Sequence, residues 1–350
     1  MAYTDIDKPS DYFETVIYAG GTTDISSLDF QPDWVWGKKR TGAENHALFD
    51  SVRGATKTIN SNTSATESTR SGSLTSFDSD GFTMGGSDGI ISSSGNNYVA
   101  WSWKAGTSAS GNTSGSGTAK TFSSSSNSTS GFSIVKYVGN GTTNHAIPHG
   151  CGTPPTMIIV KTTTKSNQAW PVDCRQDNNG AGGVMYLNET GGAGGYGNDN
   201  PFTSVAPTSS VFSVGSPGNT NFNNDTYIAY CFAEKKGYSK FGSYTGNGDS
   251  DGAFVYTGFK PAFVMFKRSS GTGNWQLLDN KRLGYNVENI TIYPNSNIAE
   301  QDENDADLLS NGFKLRGSGT DGNGSGSKYI YMAFAENPFV TSTGVPATAR

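Results

Sequence analysis

The sequence predicts an all-β protein of about three tandem β-sandwich units, jelly-roll-like in strand number and drawn from one repeat family. Three observations carry this. Runs of five to eight residues rich in Val, Ile, Tyr, Phe and Trp alternate with clusters of Gly, Asn, Asp, Ser and Pro. One series of these runs recurs three times in the same order. No segment keeps a 3.6-residue apolar period between caps, so few helices are expected. The 46 glycines and the low hydrophobic share of 33% could also mean disorder, but 19 Phe, 16 Tyr and 6 Trp supply several cores.

The chain divides in order. Residues 1–12 form a short N-terminal segment. Unit one (13–106) opens with ETVIYAGG, continues with PDWVWGK, HALFDSVR and SDGFTMG, and closes with YVAWSWKA. Residues 107–130, rich in Ser, Thr and Gly with Phe122 as the one large apolar residue, read as a linker or a long exposed loop. Unit two (131–236) repeats the series as SIVKYVGNG, PTMIIVK, WPVDCR, SSVFSVG and YIAYCFAE. Unit three (237–340) gives SKFGSYTGNG, PAFVMFK, WQLLDNKR, SNGFKLR and YIYMAFAE. Residues 341–350 read as a tail. From Pro32, Pro155 and Pro261 to the following lysine the spacing is six in every unit. Each proline stands where a strand begins, the place a sheet tolerates it. The opening and closing tyrosines are 80, 90 and 85 residues apart (18 to 98, 137 to 227, 244 to 329). Units two and three join without a linker and are expected to pack as a rigid pair.

Charge and composition narrow the function. A net charge of −5 provides no basic field for phosphates, which argues against nucleic-acid binding. No apolar run approaches the ~18 residues of a membrane helix, and MAYTDIDKPSDYF lacks a signal-peptide pattern, so synthesis in a cytoplasm without Sec export is expected. The three cysteines fit no zinc spacing. NGDSDG matches the start of a calcium loop but lacks its closing Glu, and reads as a hairpin turn. GSGTDG is followed by a strand rather than a helix, so it is no phosphate cradle. With three histidines and no triad ordering, neither enzyme chemistry, a cofactor nor a metal is expected.

Two groups of residues remain as candidates. An aromatic-Asp-Arg cluster recurs as His46, Asp50 and Arg53, then Trp170, Asp173 and Arg175, then Trp275, Asp279 and Arg282. Its recurrence favours a folding role, an ion pair fixing a strand end, over a ligand site. Aromatics able to stack on sugar rings are Trp170, Tyr186, Tyr196, Phe222 and Tyr285. Tyr196 lies among the loop-formers of GGAGGYGNDN.

The strings DWVWGKKR, HALFDSVRGATK, SFDSDGFTMG and YVAWSWKAG resemble a repeat found in structural proteins of marine bacteriophages, many of them phages of cyanobacteria. GYSKFGSYTGNG, VYTGFKPAFVMFKR, LLSNGFKLR and YIYMAFAENPF resemble its C-terminal partner, so the similarity covers the chain apart from the linker and ends. The resemblance implies a virion location and brings no catalytic residues. It leads to the expectation of a tail-associated fibre or adhesin, a homo-oligomer with a trimer favoured. Its expected partners are other virion proteins and a host surface glycan or protein. The alternative is a head decoration or other architectural protein that binds capsid or tail subunits.

Overall fold

The computed structural model describes residues 3–176, 183–197, 200–282, 286 and 288–346. The fold is all-β: the described residues hold antiparallel strands and a single 3-10 turn, Pro9–Asp11.

Three large sheets share one strand order. In unit one it is Phe13–Ala19, Asn97–Trp103, Trp34–Lys39, Ala47–Asp50. In unit three it is Ser239–Thr245, Lys328–Pro338, Phe259–Arg268, Trp275–Asp279. Unit two repeats it with Phe132–Val138, Thr226–Phe232, Met157–Thr162 and Pro171–Cys174. The register repeats as well. Tyr18 lies opposite Tyr98, Tyr137 opposite Tyr227, and Tyr244 opposite Tyr329. Each pair is stacked, with centroids 5.6, 5.2 and 4.9 Å apart. Each opening tyrosine donates its hydroxyl to a loop carbonyl, of Ile91, Thr220 and Gly322 respectively. Pro32 and Pro155 precede their strands, while Pro261 sits inside its strand at an irregularity of register.

A smaller sheet covers the outer face of each large one. Its members are Asp24–Ile25, Gly81–Met84 and Leu74–Asp78 in unit one, and Ser114–Gly115, His145–Pro148 and Val211–Val214 in unit two. In unit three they are Phe254–Tyr256, Gly312–Leu315, Gln301–Leu309 and Glu288–Thr291. Between the two sheets of every unit lies a separate core, for example Val35, Phe49, Phe82 and Ala100 in unit one.

The opposite faces of the large sheets meet each other. Trp34, Trp36, Trp101 and Trp103 from unit one join Ile159, Trp170, Tyr230 and Phe232 from unit two, and Phe263, Trp275, Met332 and Phe334 from unit three, in a single buried cluster. The large sheets are therefore buried on both faces, which is why their strands read as continuous apolar runs such as MIIV and FVMF. Unit one contributes to this core as fully as units two and three do.

The linker expected over residues 107–130 is a correction. Thr107–Asn112 and Thr121–Asn127 form a hairpin that adds two strands to the edge of unit two's large sheet, and Ser114–Gly115 joins its small sheet. Serine-rich sequence resembles linker because it lacks apolar side chains. A sheet edge needs only backbone partners: Thr121–Asn127 finds them along Phe132–Val138, and Thr107–Asn112 along Thr121–Asn127.

Candidate functional site

The seams around the shared core determine what each candidate residue does. They run in one direction. His46 of unit one meets the Tyr293 carbonyl of unit three at 3.0 Å through Nε2, which carries the proton because Nδ1 accepts from Trp36. Burial pushes the His46 pKa well below its usual value. At the matching position Trp170 of unit two donates to the Thr63 carbonyl of unit one (3.0 Å), and Trp275 of unit three to the Tyr186 carbonyl of unit two (2.9 Å). The backbone amide of each of these three residues is held by an asparagine of its own unit, Asn62, Asn188 or Asn295. Five residues beyond each asparagine, Glu67, Ala193 and Glu300 donate backbone N–H across a seam to Thr163, Ser269 and Arg40.

The Asp-Arg cluster follows this scheme in two units only. Asp50 is paired with Arg53, and Asp279 with Arg282, all with side chains at most 1% exposed. Each aspartate also accepts a hydrogen bond across a seam: Asp50 from the Tyr230 hydroxyl at 2.8 Å, Asp279 from Trp101 Nε1 at 3.1 Å. Asp173 is not their equivalent, which corrects the repeat reading. Asp50 stands opposite Trp34 and Asp279 opposite Phe263, whereas the residue opposite Met157 is Cys174. One step along a strand reverses the face. Asp173 therefore points away from the shared core, where it pairs with Arg175 at 3.1 Å and accepts from the Tyr196 hydroxyl at 2.7 Å. Burial raises the Asp173 pKa against the pull of Arg175.

The proposed sugar-stacking residues scatter. Trp170 is fully buried in the shared core, which overturns its selection. Tyr186 is half-buried beside the Trp275 contact. Tyr196 is half-buried, with Arg175 4.4 Å from its ring centroid. Phe222 is 49% exposed, with Lys165 Nζ 3.2 Å over its ring. Tyr285 lies outside the described residues. Two exposed rings escaped selection: Phe254 and Tyr256 flank buried Val255 on one short strand. Their period-2 alternation was the available signal.

The structure brings together a different set. Among the described residues the hairpin has no counterpart at the edges of the other large sheets, which end at Phe13–Ala19 and Ser239–Thr245. It overhangs the Asp50–Arg53 turn of unit one, and two clefts of about 420 and 600 Å³ lie along it and share Ser123. In the larger, Ser108 pairs in register with Ser125 and Ser110 with Ser123, facing Gln31, Asp33, Ser51 and Val52. Asp33 anchors this junction, accepting from Ser51 at 2.7 Å, Ser125 at 3.1 Å and the Ala105 amide at 2.8 Å. The smaller is lined by Arg53, Glu67, Lys136, Thr121, Thr163 and Thr226, among others. Hydroxyls that both donate and accept, with charged groups beside them, suit a polar, hydrogen-bonding ligand, and the volumes lie within the ligand-site range. Sequence reasoning missed this groove because its walls come from distant segments and its serines read as linker.

No curated protein and no solved structure matches this chain. A family model described as a domain of unknown function, DUF7483, matches residues 8–338 as one stretch that takes in all three units and the hairpin. The chain therefore belongs to the DUF7483 family.

Proposed function

We propose that this protein is a bacteriophage virion structural protein, a tail-associated fibre or adhesin that contacts the host surface without catalysis. The resemblance of its strings to marine phage structural proteins supports the virion setting. The observation that carries the adhesin reading is the groove. A scaffold otherwise repeated three times carries, at the place where the repeats differ, a hairpin with two adjoining hydroxyl-lined clefts along it. Folding determinants persist between repeats, whereas a binding surface needs to exist only once. The ligand is a host surface glycan or a polar protein segment, and other virion proteins hold the remaining faces. In a homotrimer of such chains, three grooves would bind together and gain avidity.

Gold-labelled antibody imaged on intact virions tests this reading. Label at the tail is the expected outcome. Label over the head would replace the adhesin with the decoration protein. On host cells, Ser110→Trp, which projects into the larger cleft, should abolish binding of the purified protein.

A further inference from the structure

We infer that unit three carries a calcium site where the GSGTDG turn meets strand Trp275–Asp279, built from Asp321, Glu303 and Gln276. These three side chains line a small cavity of about 190 Å³, together with Gly317 and Gly319, which offer only backbone groups. The Gln276 side chain is the decisive observation. Gln276 is 2% exposed, and its Oε1 has no hydrogen-bond partner among the described residues. A buried amide oxygen is ordinarily satisfied.

The carboxylates around it are also incompletely used. Asp321 Oδ2 accepts from the Asn274 backbone (3.2 Å) and side chain (3.1 Å), while no donor to Oδ1 is found among the described residues. Glu303 accepts from the Tyr293 hydroxyl through Oε1. Neither carboxylate forms an ion pair among the described residues, although Lys267 and Arg268 lie near Asp321. All the available donors are oxygen, which selects a hard cation. Two carboxylates, one amide oxygen and backbone carbonyls, completed by water, fit the six to eight ligands of calcium better than the tight octahedron of magnesium.

The other units lack the set. Counting from the loop carbonyls held by the stacked tyrosines, Asp321 corresponds to Ile90 in unit one and Asn219 in unit two. Gln276 corresponds to Ala47 and Pro171, each directly after His46 and Trp170. The strand-turn-strand scaffold is common to all three, while the ligating side chains occur together once.

The test uses the full chain after treatment with chelator. Terbium chloride should give saturable luminescence excited through tyrosine, since Tyr244 binds the Gly322 carbonyl and Tyr293 binds Glu303. Calcium should displace terbium and magnesium should not. Calcium at about 10 mM, above the roughly 10⁻⁴–10⁻³ M dissociation constants of weak sites, should raise Tm by at least ~2 °C. Asp321→Asn and Glu303→Gln should each remove both responses, while Asp251→Asn, on the exposed Lys314 ion pair, should leave them intact. If Asp321→Asn does not fold by near-UV circular dichroism, the exposed Glu303→Gln decides. Absent saturable luminescence, or luminescence that persists in Glu303→Gln, overturns the site.

Discussion

The seams between units are not built alike. At two of them a buried aspartate receives a hydrogen bond from the neighbouring unit: Tyr230 to Asp50, and Trp101 to Asp279. By register, Trp101 pairs with Trp36, Tyr230 with Ile159, and Met332 with Met265, so Met332 is the third member of that set. The position it would address in unit two is Cys174. Two seams therefore use a polar pair, and the third places two sulfur-bearing residues in the same core. Donor and acceptor have changed together. A buried carboxylate without its partners is costly, and so is a donor without its acceptor. The apolar seam shows that the polar pairs are not required for packing as such. Mismatching them would leave a buried carboxylate or donor unpaired, so at these two seams they favour the observed neighbour over another.

The largest effect that would break this comparison is removal of a seam aspartate. Asp279→Ala should cost about 3–5 kcal/mol, because it strands the buried Arg282 as well as Trp101. Cys174→Ala should cost only about 1 kcal/mol. Urea denaturation of both variants measures the gap, and equal losses would end the distinction. Next comes conversion of one seam type into the other. Cys174→Asp should destabilise by about 3 kcal/mol, and Met332→Tyr added to it should recover about 1 kcal/mol. A double-mutant cycle without coupling would show that the two positions do not address each other.

A smaller effect concerns the lysines that end the Pro-initiated strands. Burial lowers the pKa of Lys38, Lys161 and Lys267 to about 8 in each case. Their ammonium groups donate to carbonyls, and those of Lys38 and Lys267 reach across a seam, to Asn297 and Thr190. A lysine whose folded pKa lies below its usual 10.5 binds fewer protons folded than unfolded between pH about 8 and 10.5. Stability contributed by that site therefore rises with pH through this window and is lowest below pH 8. The stability of the unmodified protein relative to Lys161→Met should grow by up to about 1 kcal/mol per pH unit there. A pH-independent difference would refute the assignment. The smallest stability effect belongs to the groove: Ser110→Trp should shift the urea midpoint by less than about 0.5 kcal/mol equivalent, since Ser110 is exposed. A large loss would mean that the hairpin is part of the scaffold rather than an addition to it.

Much of the architecture was legible in the residues. The recurring tyrosines marked strands that pair in register, and the Pro-to-Lys spacing marked the strand between them. The shared core was written in the uninterrupted apolar runs, since a strand covered on one face alternates and one covered on both does not. Three sandwiches packed separately would leave Trp34, Trp101 and Trp103 facing water. The misreadings have physical causes. Asp173 was aligned by its neighbour in sequence, although a one-residue offset reverses its face. Residues 107–130 were read by side-chain polarity, although edge strands are held through backbone. The groove and the Gln276 cavity depend on segments brought together from far apart, and no local pattern reports them.

Three units of one family around a common core resemble a homotrimer written into a single polypeptide. In a true homotrimer every substitution appears three times, and a costly one is costly threefold. Here each position changes alone. One seam has cysteine where two have aspartate, and one sheet carries a hairpin that the other two lack among the described residues. Covalent linkage thus frees the symmetric scaffold to become asymmetric one residue at a time, with two unchanged units holding the core while the third takes on something new.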